Sequence, residues 1–218
     1  MAWLRLLLII VFARPIARFL TGADVVWRER LPIKGPAIVV ANHSSHIDTL
    51  LLLSIFPARA VMRVRPAAAA DYFLANPLIG WFSRNLVGIV PVARAQVGKG
   101  ADVLGPAREA LLAGDIVVIF PEGTRGSAGD LMAPLKSGVA RLAAAAPEAP
   151  VTPVWIQGAG RVLPKGHSIP VPMTCCALVG EPIHWRGDKD AFMAELKASL
   201  DALHAEAPPL RWLPSEPA

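Results

Sequence analysis

Cysteine, tyrosine and long apolar runs are scarce in this chain, and each scarcity argues against a class of protein. The 218 residues include only two cysteines, Cys175 and Cys176, which are adjacent. Neighbouring residues in a strand point to opposite faces, so a disulfide between them is not expected, and a disulfide framework is excluded. We therefore expect a reducing compartment, with both thiols packed in or beside the core.

Nucleic acid is a poor candidate for the partner. The chain has one tyrosine, no run of Lys or Arg and no recognisable nucleic-acid-binding motif. Its net charge of +5 and pI of about 9.7 nevertheless suit an anionic partner. The mean hydropathy of +0.45 is high for a soluble protein, so either the core is large or part of the surface meets lipid. We expect a phosphorylated ligand or an anionic membrane surface.

No apolar run near the N-terminus is long enough to span a bilayer. Residues 6–13 are apolar, whereas a spanning helix needs about 20 such residues. The small-residue cleavage site of a signal peptide is also missing. Residues 1–25 are therefore predicted to form an interfacial helix, with a packed helix and a true span as alternatives. Its apolar side would be Trp3, Leu7, Ile10 and Phe12, and its headgroup contacts Arg5, Arg14 and Arg18.

Apolar runs bounded by Gly and Pro alternate with segments of helical periodicity. Strands are predicted at 37–41, 59–64, 89–92, 115–120, 151–157 and 173–179, and helices at 47–55, 77–85, 103–113, 137–145 and from Asp188 onward. This alternation predicts an α/β domain over residues 26–205, with a mixed, mostly parallel central sheet flanked by helices. Residues 206–218 are predicted to be a loose tail.

A base and a carboxylate follow the predicted strand 37–41. His43 and Asp48 would lie about 140° apart on one regular helix, too far around the axis to pair. We therefore expect His43 in the strand-to-helix turn and Asp48 in the first helical turn, capped by Asn42 or Ser44. A histidine whose second nitrogen faces a carboxylate can take a proton from an attacking hydroxyl.

Other interpretations of this stretch remain open. His43, His46 and Asp48 could ligate a metal, although no further His/Asp cluster follows. Ser44 or Ser45 could be a nucleophile, but neither lies in a G-x-S-x-G elbow. His43 could also be a structural turn residue. The chain could then be a non-catalytic protein that binds anionic lipid.

A candidate anion site follows the predicted strand 115–120. Gly123 allows close approach of the backbone to a ligand, and the planar guanidinium of Arg125 suits phosphate. Glu122 could accept a hydrogen bond from a substrate hydroxyl. Arg94 and Lys136 are further candidate phosphate contacts, and a plain surface turn is the alternative.

Together these motifs resemble the glycerolipid acyltransferase family, in particular the 1-acyl-glycerol-3-phosphate acyltransferases. Its N-H-x-x-x-x-D signature matches Asn42, His43 and Asp48, and F-P-E-G-T-R matches residues 120–125. Two weaker blocks resemble residues 88–94 and 151–154. The chain departs from the family pattern at His46 and Ala93, which bears on acceptor preference more than on the reaction.

The resemblance implies transfer of a fatty acyl group from acyl-CoA or acyl-carrier protein to a lysophospholipid hydroxyl, with lysophosphatidic acid the first choice. His43 would be the general base and Asp48 its orienting partner. The acceptor's polar head would meet Glu122, Gly123, Thr124 and Arg125, helped by Arg94. The thioester is already activated, so neither an acyl-enzyme nor a metal or other cofactor is required, and the co-substrate is the acyl donor. Backbone amides near His43 could form the oxyanion hole. The expected location is the cytoplasmic face of the cell membrane, peripheral or monotopic.

A chelator separates the acyltransferase from a metal-dependent hydrolase. We expect EDTA to leave acyl transfer unchanged, measured with labelled acyl-CoA and lysophosphatidic acid. Loss of turnover with EDTA, restored by zinc, would support the metal interpretation instead.

Overall fold

A computed structural model describes residues 2–69, 80–81, 83, 87–92, 102–123, 132–164, 166–167 and 169–209. Its strands are β1 (Asp24–Val26), β2 (Ala37–Ala41), β3 (Val64–Ala69), β4 (Val90–Val92), β5 (Ile116–Ile119), β6 (Val151–Gln157) and β7 (Cys176–Val179). Its α-helices are α1 (Ala2–Leu8), α2 (Arg14–Thr21), α3 (Ile47–Ile55), α4 (Ala58–Val61), α5 (Gly105–Leu112), α6 (Gly138–Ala145), α7 (Ala159–Val162) and α8 (Lys189–Glu206).

The strands form one seven-stranded sheet in the order β1-β7-β6-β2-β5-β3-β4. All neighbours pair parallel except β6 and β7, which are antiparallel. Every residue of β2, β5 and β6 is buried, as expected for central strands covered on both faces. One core cluster contains residues of the N-terminal helices and α3, and a second contains residues of α5, α6 and α8. A third, smaller cluster contains Trp155, Cys176, Leu178 and Leu203. The predicted mixed, mostly parallel sheet is confirmed.

Most predicted elements are present, several with their predicted ends. β2 and α3 coincide with the predicted ranges. Pro91 lies in β4, the edge strand, where its missing N–H costs least. Asp188 caps α8 by accepting hydrogen bonds from the amides of Asp190 and Ala191.

The prediction of a strand over 59–64 was wrong. Residues 58–61 form the short helix α4, and β3 begins only at Val64 and continues through Pro66 to Ala69. The helix starts after Pro57, and the amides of Ala60 and Val61 both donate to its carbonyl. The short elements β1 and α7 were not predicted. The predicted helix 77–85 lies largely outside the described residues.

The N-terminal residues form a nearly continuous helical segment with an apolar outer side. A π-helical turn over Ile9–Ala13 joins α1 to α2. Seven large apolar side chains of this segment are exposed: Trp3, Leu7, Ile10, Val11, Phe12, Ile16 and Phe19. They include all four predicted at the sequence level. Among the described residues, no helix is both long and apolar enough to cross a membrane.

Two arginines of this segment point inward, against the prediction that they contact headgroups. The Arg5 guanidinium is buried and donates hydrogen bonds to the carbonyls of Met62, Val64 and Val87, at 2.9, 2.9 and 3.0 Å. Arg14 donates to the carbonyl of Phe56, just after the last residue of α3. Burial lowers the pKa of Arg5 to about 10, so the group stays charged at neutral pH. Carbonyls at the ends of helices and strands lack a partner within their own element and can accept hydrogen bonds from side chains. This explains why both arginine side chains turn inward.

We expect Arg5→Met to lower the free energy of unfolding by about 2–4 kcal/mol, because buried carbonyls would lose a charged donor. Denaturant titration measures the change, and Arg141→Met is the control, since Arg141 is exposed on α6. Equal, small effects of the two substitutions would show that the Arg5 contacts contribute little.

Candidate active site

The loop between β2 and α3 brings a histidine and an aspartate together. Nδ1 of His43 lies 3.0 Å from Oδ2 of Asp48. His43 is in the turn after β2, and Asp48 is the second residue of α3. This is the predicted arrangement, in which the pair straddles the strand-to-helix turn. The imidazole is 18% exposed and the carboxylate is fully buried.

Two backbone amides hold the Asp48 carboxylate beneath the loop. Oδ2 accepts from the amide of Ser44 at 2.7 Å and from that of Ser45 at 2.8 Å. These two hydrogen bonds provide the buried carboxylate with partners that water cannot provide, since the side chain is fully buried. The same oxygen faces Nδ1 of His43. The proton of a neutral imidazole is therefore favoured on Nδ1, which leaves Nε2 with its lone pair.

Asn42 ties the loop to the centre of the sheet, and the prediction that it caps α3 was wrong. Its Nδ2 donates to the carbonyl of Ile156 at 2.9 Å, and its Oδ1 accepts from the Ile156 amide at 2.7 Å. Ser44 does not cap the helix either, because His46 is the N-cap residue and makes no side-chain capping bond. Asn42 bonds to β6 because Ala41, the last residue of β2, pairs with Val154.

Glu122 and Phe120 join the second motif to His43. Oε1 of Glu122 accepts from the His43 amide at 2.8 Å. The Phe120 ring stacks on the imidazole, with centroids 4.3 Å apart and an interplanar angle of 25°. The two motifs are neighbours because β2 and β5 pair in parallel and end at the same edge of the sheet. This edge therefore forms one site that contains the first motif and residues 120–123 of the second.

Both carboxylate oxygens of Glu122 are engaged with the backbone. Its second oxygen, Oε2, accepts from the amide of Ala133 at 3.0 Å, and the side chain is buried. Glu122 thus braces residue 43 against residue 133, and its predicted hydrogen bond to a substrate hydroxyl stays a prediction. No sequence motif signals this contact, because its partners are main-chain amides.

The remaining predicted substrate contacts are only partly described. Gly123 ends the described part of the second motif, with a φ of 70° that favours glycine. Arg94, Thr124 and Arg125 lie outside the described residues and stay predictions. Lys136 lies next to Gly123, and its amide donates to the carbonyl of Pro121 at 2.8 Å.

The amides nearest His43 are already occupied. The His43 amide donates to Glu122, and those of Ser44 and Ser45 donate to Asp48. The suggestion that these amides form an oxyanion hole therefore conflicts with the geometry.

Ser45 and the two cysteines do not have the surroundings of a nucleophile. Ser45 is buried and donates through Oγ to the carbonyl of Leu163 at 2.9 Å. Cys175 and Cys176 are free and buried, as predicted. Burial, with the nearby charge of Asp48, raises the pKa of the Cys175 thiol to about 12, so it stays protonated. In the described part of the chain, no three His, Cys, Asp or Glu side chains group closely enough to hold a metal ion.

Comparison with known proteins agrees with the motifs. The family model described as Acyltransferase matches residues 23–157, more than half of the chain. A chloroplastic 1-acyl-sn-glycerol-3-phosphate acyltransferase of Brassica napus is 33% identical over 144 residues, which cover 66% of this chain and 39% of that protein. The 1-acyl-sn-glycerol-3-phosphate acyltransferase alpha of Mus musculus is 33% identical over 143 residues, covering 63% and 47%. The chain thus spans less than half the length of these curated relatives.

A solved structure shares the fold. The crystal structure of the 1-acyl-sn-glycerophosphate (LPA) acyltransferase PlsC from Thermotoga maritima superposes with a TM-score of 0.73. The match covers 92% of this chain and 79% of that one, at 24% sequence identity. The two motifs, the sheet that brings them together and the matched family model lead to one conclusion, that this chain belongs to the acyltransferase family.

Proposed function

We propose that the protein transfers a fatty acyl group from a thioester, acyl-CoA or acyl-carrier protein, to the free hydroxyl of 1-acyl-glycerol-3-phosphate, giving phosphatidic acid. The observation that carries this proposal is the His43–Asp48 pair at the edge where β2 and β5 end. The acceptor comes from the names of the relatives, which are 1-acyl-sn-glycerol-3-phosphate acyltransferases. Another lysophospholipid or a lyso-amino-acid lipid is the alternative acceptor.

In the proposed step, His43 acts as a general base through Nε2. The acceptor oxygen attacks the thioester carbonyl carbon while Nε2 takes the hydroxyl proton. The buried carboxylate of Asp48 holds the ring and stabilises the imidazolium that forms. The carbon–sulfur bond then breaks, and the leaving sulfur takes the proton from Nε2. The ester and the free thiol are the products, and the imidazole is neutral again.

Transfer in this mechanism is direct, without an acyl group on the protein. A thioester is already activated, so the acceptor hydroxyl needs only a base. Two side chains close to the site are unsuited to carry an acyl group. Cys175 has its pKa raised to about 12, and the hydroxyl of Ser45 is buried and bonded to a carbonyl.

We further propose that the N-terminal helical segment lies on the membrane, at the cytoplasmic face. Its seven exposed apolar side chains form the outer side, while Arg5 and Arg14 fasten its inner side to the domain. An apolar helix face of this kind inserts into the boundary between headgroups and acyl chains. The segment also packs on α3, the helix that carries Asp48. The acceptor, a lipid, would then be supplied from the surface on which the enzyme sits.

We expect His43→Ala and Asp48→Asn each to lower kcat by about 10³-fold or more, because the base or its orienting partner is lost. The assay uses labelled acyl-CoA with lysophosphatidic acid and identifies the product by mass. His184→Ala is the control, since His184 is exposed and far along the chain from the loop. Full activity of folded His43→Ala protein would overturn the assignment, with thermal unfolding verifying the fold.

We expect the double substitution Trp3→Glu and Phe19→Glu to weaken vesicle binding at least tenfold, because two large exposed apolar groups become charged. Sedimentation with vesicles of phosphatidylethanolamine and phosphatidylglycerol measures binding. Leu112→Glu is the matched control, because Leu112 is 64% exposed on α5, which packs on the opposite face of the sheet. Substitution is a cleaner test than deletion, which would also remove the Arg5 and Arg14 contacts. If the double variant and the control bind equally, the segment is not the membrane contact.

A further inference from the structure

Residues 133–136, just before α6, are hydrogen-bonded to the second motif. The amide of Ala133 donates to Oε2 of Glu122 at 3.0 Å, and the amide of Lys136 donates to the carbonyl of Pro121 at 2.8 Å. These two hydrogen bonds fix the chain on both sides of residues 134–135. Lys136 is therefore held beside the turn that contacts His43.

The side chain of Lys136 occupies the space that a side chain at Gly123 would need. A β-carbon at position 123 would collide with Nζ of Lys136 and would lie 2.9 Å from its Cε. Both residues are exposed. Gly123 thus has a second role beside its positive φ, since its missing side chain leaves room for an ammonium group at the surface of the turn.

The Lys136 ammonium is available to a ligand. Its side chain forms no hydrogen bond or ion pair within the part of the chain that the structure describes. The turn over which it lies carries Phe120, stacked on His43, and Glu122, bonded to the His43 amide. A cation and the candidate base are therefore held by the same short stretch of backbone.

We propose that Lys136 binds the phosphate of the acceptor and selects phosphorylated acceptors over neutral ones, an inference that rests on the proposed function. An ammonium group binds phosphate as a point charge. In 1-acyl-glycerol-3-phosphate, only a few bonds separate the reacting hydroxyl from the phosphate. A hydroxyl placed at His43 thus brings its phosphate close to the turn. In acyl-CoA, the length of the pantetheine arm separates the thioester from the nearest phosphate. The position of Lys136 on the turn that contacts His43 therefore favours the acceptor's phosphate over the donor's.

The test compares kcat/KM for 1-acyl-glycerol-3-phosphate and for 1-acylglycerol, which lacks the phosphate. Lys136→Met should lower the first value about tenfold to a hundredfold and leave the second unchanged, as expected for loss of one charge-assisted contact. Lys136→Arg should recover part of the loss. Lys197→Met is the control, because Lys197 is an exposed lysine on α8 that pairs with Asp201. Equal losses on both acceptors would overturn the proposal.

A second experiment shows whether Lys136 binds the phosphate of the acceptor or that of the donor. The assay is repeated with an acyl N-acetylcysteamine thioester, which carries no phosphate. The Lys136→Met defect should persist with this donor, and its disappearance would assign the contact to CoA and overturn the proposal.

Calorimetric binding to a His43→Ala background gives an answer independent of turnover. There, Lys136→Met should weaken binding of 1-acyl-glycerol-3-phosphate in detergent micelles and leave 1-acylglycerol unaffected. Unchanged binding of the phosphorylated lipid would count against the proposal.

Failure of the proposed function would look different. Unsubstituted protein that transfers no acyl group to either acceptor would refute the acyltransferase activity itself. An active protein whose Lys136→Met variant keeps its preference for the phosphorylated acceptor would refute only the role of Lys136.

Gly123→Ala supplies an independent check. The new β-carbon should displace the ammonium and reproduce the acceptor-specific loss. In a Lys136→Ala background, where the ammonium is already gone, the same substitution should cost less. If the two substitutions lower kcat/KM by independent factors, Gly123 acts only through its backbone conformation. The space beside Gly123 would then have no effect on Lys136.

Discussion

The buried carboxylate of Asp48 is the group on which the site depends. It has no contact with water, and it is stabilised by the amides of Ser44 and Ser45 and by the ring of His43. Removing those partners would leave a buried charge uncompensated, which is costly. The carboxylate therefore sets the shape of the loop, the orientation of the imidazole and the nitrogen on which the ring carries its proton. Loop conformation and proton chemistry follow from the same interaction.

Hydrogen bonds connect this loop to the sheet and to the second motif. Asn42 joins it to β6, and Glu122 joins it to the second motif and to residue 133. At the C-terminal end of α3, Arg14 donates a hydrogen bond to the carbonyl of Phe56. The segment with an exposed apolar side is thereby bonded to the helix that carries Asp48. In the proposed function, this links the membrane surface to the base.

The sequence predicts the architecture and the His43–Asp48 pair, because the signals for both are local. β2 and α3 have strong patterns, and a five-residue spacing allows pairing only across a turn. Contacts with the main chain had no such signal. Residue types alone could not predict the hydrogen bonds that join Glu122 to the amides of residues 43 and 133. Nor could they predict the bonds from Arg5 to three carbonyls. The error over 59–64 has a related cause, since six residues are too few to show a period that distinguishes helix from strand.

In the proposed mechanism, Asp48 holds the neutral His43 ring with its proton on Nδ1, so that Nε2 is free to act as the base. Nitrogen-15 chemical shifts of the His43 imidazole, recorded above the pH at which the ring protonates, measure this directly. We expect a protonated Nδ1 and an unprotonated Nε2, with the preference lost in Asp48→Asn protein. A proton found on Nε2, or a ring unaffected by the Asp48 substitution, would contradict it.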